Sequence, residues 1–326
     1  MYKKKLLITG ATGFIGSHLT EICVENGFNV VAFDRYNPEY SLGYLEKSKY
    51  KKDINFVFGD IRDYDSVNKV IKGCDLVFHL AALIGIPYSY NSPLAYLKTN
   101  VEGTYNILET SKNNDINQLI VTSTSETYGT AEKIPINEQH RLLGQSPYSA
   151  SKISADQLSI SYWRSFKLPV KIIRPFNVYG PRQSSRAVIP SIIIQALNKK
   201  KEIKLGNIQT SRDYTYVIDT CNAYLEILKM KNMFGTPINV GSNNEYKIKD
   251  IAEKIISKIN PKIKIIIDKK RIRPKLSEID RLVCDNSLIL KKTLWKPLYS
   301  FDKGLNKTID WIKINKKMIF ADNYHV

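Results

Sequence analysis

Between two short apolar runs, Lys5 to Thr9 and residues 30–33, the chain sets Gly10-Ala11-Thr12-Gly13-Phe14-Ile15-Gly16, a helix-forming stretch to about Asn26 and a stop at Gly27. Strand, glycine turn, helix and strand make a β-α-β unit. Two parallel neighbours can be joined only by such a crossover, so the unit commits the chain to a parallel sheet. The glycines let the turn close tightly and let backbone approach a pyrophosphate, whose charge suits the N-terminus of the helix that follows. Gly10, Thr12, Gly13, Phe14, Ile15 and Gly16 therefore read as a dinucleotide cradle. Asp34 closes the second strand, where a carboxylate accepts from free ribose hydroxyls and repels a 2′-phosphate, which favours NAD; Arg35 beside it keeps NADP open.

Strand and helix signals go on alternating. A strand at 56–58 ends in Gly59-Asp60-Ile61, which puts Asp60 and Ile61 at an adenine edge, or else only at an acidic helix start. Another at 76–80 ends in Ala81-Ala82-Leu83, where small residues let backbone run close under a cofactor, so that Leu80, Ala81 and Ala82 read as part of its lining. Residues 92–113 read as one long helix, with Asn100 facing the catalytic region. Residues 118–121 form a buried strand that breaks into Thr122-Ser123-Thr124-Ser125-Glu126, at the strand end where open parallel sheets gather their ligands. A sixth strand at 171–174 leads into Pro175-Phe176-Asn177. The expectation is an α/β fold, a Rossmann-type doubly wound parallel sheet with a smaller, interleaved C-terminal substrate domain. After Pro181 the pattern changes to a helix at 191–199 and strands at 203–206 and 212–217. A helix at 219–230 and a strand at 237–240 return to the first domain. The predicted domains are thus 1–176 with 216–240 for the dinucleotide, and 177–215 with 241–326 for the substrate.

Ser146-Pro147 starts a helix on which Tyr148 and Lys152 stand four apart, on one face. A phenol with a pKa near ~10 is a poor base at neutral pH, but a neighbouring ammonium and a cationic nicotinamide would both favour its phenolate. Tyr148 could then take a proton from a sugar hydroxyl. Arg186, Arg212 and Arg273 are candidates for a diphosphate, since guanidinium forks match phosphate oxygens, with surface ion pairing as the alternative. His18, His79, His140 and His325 show no metal-ligand spacing, so no metal is expected. Cys23, Cys74, Cys221 and Cys284 are far apart and read as reduced thiols.

The net charge of +18 raises a nucleic-acid or membrane partner. The lysines are scattered in twos and threes, as at Lys51-Lys52, Lys199-Lys200-Lys201, Lys269-Lys270 and Lys316-Lys317, which describes a solvated surface suited to anionic substrates. No apolar run reaches the roughly 18 residues of a membrane span, and Met1-Tyr2-Lys3-Lys4-Lys5 leads into a strand with no cleavage pattern. A cytoplasmic protein is expected, with no nucleic-acid and no membrane partner.

In its glycine loop, Thr124-Ser125-Glu126, Tyr148-Ser149-Ala150-Ser151-Lys152, Arg174 to Asn177, Arg212-Asp213-Tyr214 and Arg273-Pro274, the chain resembles the extended short-chain dehydrogenase/reductases that act as NAD-dependent nucleotide-sugar epimerases and dehydratases. Thr-Ser-Glu is similar to the GDP-mannose type of 4,6-dehydratase, whereas the dTDP-glucose type carries Asp-Glu there. The runs at 81–90, 122–129, 145–152 and 180–190 look like the 4,6-dehydratases that act on GDP-N-acetylglucosamine at the start of legionaminic acid synthesis. The resemblance implies that Tyr148 deprotonates the C4 hydroxyl, Lys152 supports it and holds the nicotinamide ribose, and Thr124 bonds the C4 oxygen. Glu126 then takes the C5 proton, water leaves from C6, and hydride stored from C4 returns to C6. Ser125 stands where other members keep an acid. By the same resemblance Thr122, Asn100 and Pro175 line the cofactor, and Asn177, Val188, Arg186, Arg212 and Arg273 the nucleotide sugar. Helices at 95–111 and from Pro147 to Phe166 would pair two subunits in a homodimer. The alternatives are a nucleotide-sugar decarboxylase or C4 epimerase on the same scaffold and, from another class, a non-catalytic NAD-binding regulator.

Overall fold

The computed structural model describes residues 3–198 and 201–315. Lys199, Lys200, the Lys316-Lys317 pair, His325 and the first two residues lie outside them. Among the described residues thirteen strands run in chain order as β1 (Lys5–Thr9), β2 (Asn29–Arg35), β3 (Ile54–Gly59), β4 (Leu76–His79), β5 (Gln118–Thr122), β6 (Val170–Pro175), β7 (Asn177–Tyr179), β8 (Glu202–Leu205), β9 (Ser211–Tyr216), β10 (Pro237–Val240), β11 (Glu245–Lys247), β12 (Lys264–Ile267) and β13 (Arg281–Leu282). Seven make one sheet in the order β10-β6-β5-β4-β1-β2-β3, every pairing parallel. The strand order reverses between β1 and β4, and the crevice beyond their C-terminal ends is where such sheets bind ligands.

The alternation within β1 explains why this sheet is covered on both sides. Leu6 and Ile8 pack with Leu19 and Cys23 of helix α1 (Phe14–Glu25), while Leu7 packs with Ile107, Leu108 and Tyr162 on the opposite face. A strand buried on both faces has no use for polar residues, hence the unbroken apolar runs. The second face is closed by α2 (Tyr64–Ile71) and by two long elements. The first begins with the short helices α3 (Ile86–Asn91) and α4 (Pro93–Tyr96), passes through a π-helical turn at Leu97–Glu102 and continues as α5 (Gly103–Asn113); the second is α6 (Pro147–Phe166). The single helix expected at 92–113 is therefore interrupted: Gly103 donates back to the Lys98 carbonyl, five residues earlier.

The remaining strands form two small sheets. β9 pairs with β11 antiparallel and with β7 and β13 parallel, and β8 pairs with β12. Helix α7 (Val188–Leu197) starts three residues before the expected 191, and α8 (Val217–Lys229) returns the chain to the large sheet beside α1. Tyr179, Tyr214, Tyr216 and Phe301 of the smaller unit join the same apolar cluster as Leu6 and Ile8, so the two units share a core. Among the described residues no helix is long and apolar enough to cross a membrane. All four cysteines are free and buried.

Candidate active site

The glycine turn has the tightness a pyrophosphate cradle needs. Gly10 holds a φ of +70°, and a Cβ there would stand 2.9 Å from the Ala81 nitrogen; on Gly16 it would stand 2.0 Å from the Gly10 carbonyl oxygen. Only glycine meets both conditions. Gly13 caps α1 without any side-chain acceptor, so the amides of the first turn, at Phe14 and Ile15, keep the orphan donors that attract an anion. These features fit a bound dinucleotide.

At the end of β2, Asp34 Oδ2 accepts from the Thr12 amide at 2.8 Å and the Thr12 hydroxyl at 2.6 Å, and Oδ1 accepts from the Arg35 amide at 2.8 Å. Two lone pairs on each oxygen leave one on Oδ1 open toward a ribose. Asp60 is gripped by Arg62, whose Nη2 is 2.6 Å from Oδ2 and which holds the carboxyl below its ordinary range. Ile61 is buried against Gly103, where a Cβ would meet its Cδ1 at 2.6 Å.

Beneath Leu80 and Ala81 the amides of both donate to Thr9 Oγ1, at 3.2 and 3.1 Å. Ala82 follows, partly exposed. Asn100, expected to face the catalytic region, is 1% exposed and fully engaged: Oδ1 accepts from the Leu83 amide at 2.9 Å, and Nδ2 donates to the Leu83 carbonyl at 2.9 Å and to Ser151 Oγ at 3.0 Å. Both amide protons are spent, so Asn100 ties the loop after β4 to α6 and has no donor left for a water or a cofactor.

Tyr148 and Lys152 share the buried face of α6, whose start is fixed by a capping box: Ser149 donates its amide to Ser146 Oγ at 3.1 Å and accepts the Ser146 amide at 2.9 Å. Burial pushes the Tyr148 phenol up; the Thr124 hydroxyl bonded to it pulls the other way, and the nearby charge of Glu126 adds to the rise. The sequence led us to expect Lys152 beside the phenol. Its ammonium instead donates to the Thr122 carbonyl at 2.6 Å, since a buried cation needs an acceptor, and burial draws it down to about 8 against the support of Asp156. Along the loop Thr124 and Glu126 stay partly exposed while Ser125 between them is 3% exposed, turned into the protein.

Two of the three arginines meet at one carboxylate and the third stands apart. Arg212, 5% exposed, donates Nη1 to the Ser211 carbonyl at 2.9 Å, and its Nη2 lies 3.7 Å from Glu278 Oε1; Arg273 Nη1 lies 3.7 Å from that same oxygen. Arg186 is exposed and near Tyr96, whose hydroxyl donates to the Gly85 carbonyl and whose ring meets that of Tyr148 edge to face, centroids 6.2 Å apart. Val188 opens α7, Pro175 is buried at the end of β6, and Asn177 begins β7 with its Oδ1 buried and unpartnered. Among the described residues no cluster of His, Cys, Asp and Glu could hold a metal ion.

Sequence reasoning did not find Tyr96, Asp156 or Arg174 as parts of this site. For Asp156 one signal was available: it lies four residues past Lys152, on the same buried helix face.

A glycine cradle at the switch point of a doubly wound sheet, with a tyrosine and a lysine one helical turn apart beyond β5, defines an extended short-chain dehydrogenase/reductase. The chain belongs to the GDP-mannose 4,6 dehydratase family, whose pattern matches residues 7–308. It is 32% identical over 323 residues to a trifunctional UDP-glucose 4,6-dehydratase, 3,5-epimerase and reductase of Arabidopsis thaliana, an alignment that takes 96% of this chain and 47% of the plant enzyme. The chain thus spans about half the length of such curated relatives. It is 31% identical over 325 residues to a UDP-N-acetyl-alpha-D-glucosaminuronate decarboxylase of Bacillus cytotoxicus, covering 95% of this chain and 98% of that one. Among solved structures it is similar to the dTDP-glucose 4,6-dehydratase DesIV of Streptomyces venezuelae, with NAD and TYD bound, at a TM-score of 0.88 and 25% identity, over 97% of this chain and 98% of that one.

Proposed function

We propose that the protein is a nucleotide-sugar 4,6-dehydratase that uses NAD and forms a 4-keto-6-deoxy sugar, with GDP-N-acetylglucosamine as the favoured substrate. The observation that carries this reading is the convergence of three groups: the Tyr148 phenol bonded to Thr124 and in the field of Glu126. Bound NAD would supply an acceptor for the C4 hydride and a donor for its return to C6. Gly10, Gly13 and Gly16 would hold its pyrophosphate and Asp34 its adenosine ribose.

The chain's own residues divide the proton work. Thr124 fixes the C4 oxygen, and Tyr148 takes the C4 hydroxyl proton, with the Lys152 ammonium offsetting the charge that develops. Once C4 is a ketone the C5 proton is acidic, and Glu126 is the partly exposed carboxylate on the same loop. Ser125, buried and a poor proton donor, leaves the acid step to Glu126 as well. Protonated by C5, Glu126 gives that proton to the departing C6 hydroxyl, which leaves as water; a carboxylate again, it takes a proton from solvent and delivers it to C5 as C6 is reduced, while Tyr148 releases the C4 proton to solvent. One group can serve both atoms only from one side, which makes the elimination syn.

Two unsatisfied atoms suit an anionic sugar nucleotide. Arg273 Nη1 is buried without a hydrogen-bond acceptor, as a diphosphate oxygen would supply, and Asn177 Oδ1 lacks a donor, as a sugar hydroxyl would supply. The preference for GDP-N-acetylglucosamine rests on the resemblance of the runs at 81–90, 122–129, 145–152 and 180–190. The nucleotide-binding and substrate-binding units at 1–176 with 216–240 and 177–215 with 241–326 and a homodimer through the helical stretch at 95–111 and α6 belong to the same reading; Leu97, Tyr105 and Phe166, within those stretches, are exposed. Four free thiols suit the cytoplasm.

The decarboxylase of Bacillus cytotoxicus keeps a second reaction in play. A panel of GDP-, UDP- and dTDP-sugars followed by mass spectrometry separates the two. Loss of water from one of them supports the proposal, and loss of carbon dioxide from a glycuronic acid, with none of water, replaces it.

A further inference from the structure

Beneath the loop that carries Thr124 and Glu126 runs a buried polar chain that takes no part in the proposed chemistry. Asp156 is one helical turn past Lys152 on α6 and has no exposed surface. Its Oδ2 accepts from Ser123 Oγ at 2.8 Å and from Arg174 Nε at 2.9 Å, and Arg174 Nη2 also lies 2.9 Å away. From the other side of its guanidinium, Arg174 Nη1 donates to the Tyr128 hydroxyl at 3.0 Å, and that hydroxyl donates to Asn239 Oδ1 at 2.7 Å. Ser123 immediately precedes Thr124, and Tyr128 follows Glu126 by two. One ion pair on α6 and β6 thus grips both ends of the loop.

We propose that Asp156, through Arg174, is a positioning residue that holds the Thr124 and Glu126 loop in register with the helix bearing Tyr148 and Lys152.

Stability alone does not account for the pair. Buried ion pairs repay their desolvation poorly, and well-packed apolar residues of like volume commonly do as well or better. This one is not even complete, because Asp156 Oδ1 is buried with no partner. What the pair supplies that apolar packing does not is direction: two charge-assisted bonds aimed at the residues on either side of the loop. Placement matters here because an error of about 1 Å at reacting groups can cost on the order of 10²-fold in rate. A second consequence follows from charge. The Lys152 ammonium meets Asp156 and shares a buried face with the Tyr148 phenol on its own helix, donates to the Thr122 carbonyl from β5, and is felt by the His79 imidazole from β4, which burial keeps neutral. Among the described residues, Asp156 is the anion that favours the protonated form against burial. Without it, Lys152 loses its proton at lower pH, and activity that needs the ammonium fails earlier on the alkaline side.

The inference rests on the assignment of Tyr148, Lys152 and Glu126, and its test includes a measurement independent of turnover. In the full-length, NAD-loaded protein, Asp156→Asn, Asp156→Glu and Tyr128→Phe would be compared by kcat and KM, by the pH profile of kcat, and by ¹⁵N NMR titration of the Lys152 ammonium, assigned with Lys152→Arg. Asp156→Asn is expected to lower kcat on the order of 10²-fold with KM within about threefold, and to move the alkaline limb and the Lys152 titration together to lower pH. Asp156→Glu, which keeps the charge and misplaces it, should restore the titration but not kcat. Tyr128→Phe cuts the far tie, and the Asn239 bond with it, while leaving Asp156 and Ser123 in place; it should lower kcat about tenfold with an unmoved pH profile. A folded Asp156→Asn protein with wild-type kcat and an unmoved titration would overturn the proposal. If that variant does not fold, wild-type kcat in Tyr128→Phe does so instead. If no sugar of the panel is turned over, the dehydratase reading fails by itself, and the Lys152 titration still decides whether Asp156 acts on Lys152.

Discussion

His79 Nε2 lies 3.1 Å from the Thr104 hydroxyl, and that hydroxyl gives its own proton to the Asn100 carbonyl at 2.6 Å, so the imidazole must be the donor of the pair. Nδ1, 2.8 Å from Thr9 Oγ1, is then the acceptor. One neutral tautomer satisfies every partner, and a second ring proton would find none.

This fixes how stability responds to acid. Burial lowers His79 to about 3 and His18 to about 4, both below the ordinary 6.5 of the unfolded chain. Between those values the unfolded chain binds the extra protons, so stability falls as pH falls from 6.5. Each histidine contributes about 1.4 kcal/mol per pH unit across that window. Urea unfolding at pH 7 and pH 5 measures it, and His18→Gln should flatten the slope. Equal unfolding free energies at both values would contradict the neutral assignment.

Tyr148→Phe should lower turnover by about 10³-fold while the protein keeps its dinucleotide, because the change removes a proton acceptor and leaves the glycine turn intact. Steady-state rates and cofactor extraction test the two halves separately. Turnover near wild type would take Tyr148 out of its assigned role.

Glu126→Gln should still oxidise C4, seen as absorbance near 340 nm when substrate is added, but should form no 4-keto-6-deoxy product. In D2O the wild-type protein should place deuterium at C5. Product carrying only protium there would mean that Glu126 does not exchange the C5 proton.

Gly16→Ala should cost about 1–3 kcal/mol and lose the dinucleotide, since its Cβ would stand 2.0 Å from the Gly10 carbonyl oxygen, a backbone atom unable to swing aside. The extracted cofactor of the unaltered protein should be NAD by mass. A predominance of NADP would mean that Arg35 outweighs the Asp34 carboxylate.

The large sheet was legible because strands buried on both faces leave runs such as Leu6-Leu7-Ile8, and because the glycines tie a turn to a helix at fixed spacing. Tyr148 and Lys152 were legible because i and i+4 share a helix face whatever the tertiary fold. Where Lys152 sends its ammonium was not, since the Thr122 carbonyl comes from 30 residues away. Distance hid Arg174 and Asp156 in the same way: Arg174 stood out only as part of the run to Asn177, and Asp156 was read as one more residue of a helix. Arg212 was weighed as a surface ion-pair partner and is buried, because its two carbonyl acceptors at Ser211 and Asp280 meet only when β9 and β13 pair. Residues 92–113 read as uninterrupted helix since no residue type marks a change of hydrogen-bond register.

That turn at Leu97–Glu102 carries one residue more than the α-helical path around it would. Deleting a single residue there would heal the helix and favour its backbone, yet would swing everything on one side of the cut by about 100° relative to the other. Asn100 would leave Leu83 and Ser151, and the loop under the dinucleotide would lose its fastening. A chain selected only for thermal resilience would be expected to shed the extra residue, and one selected for turnover to keep it.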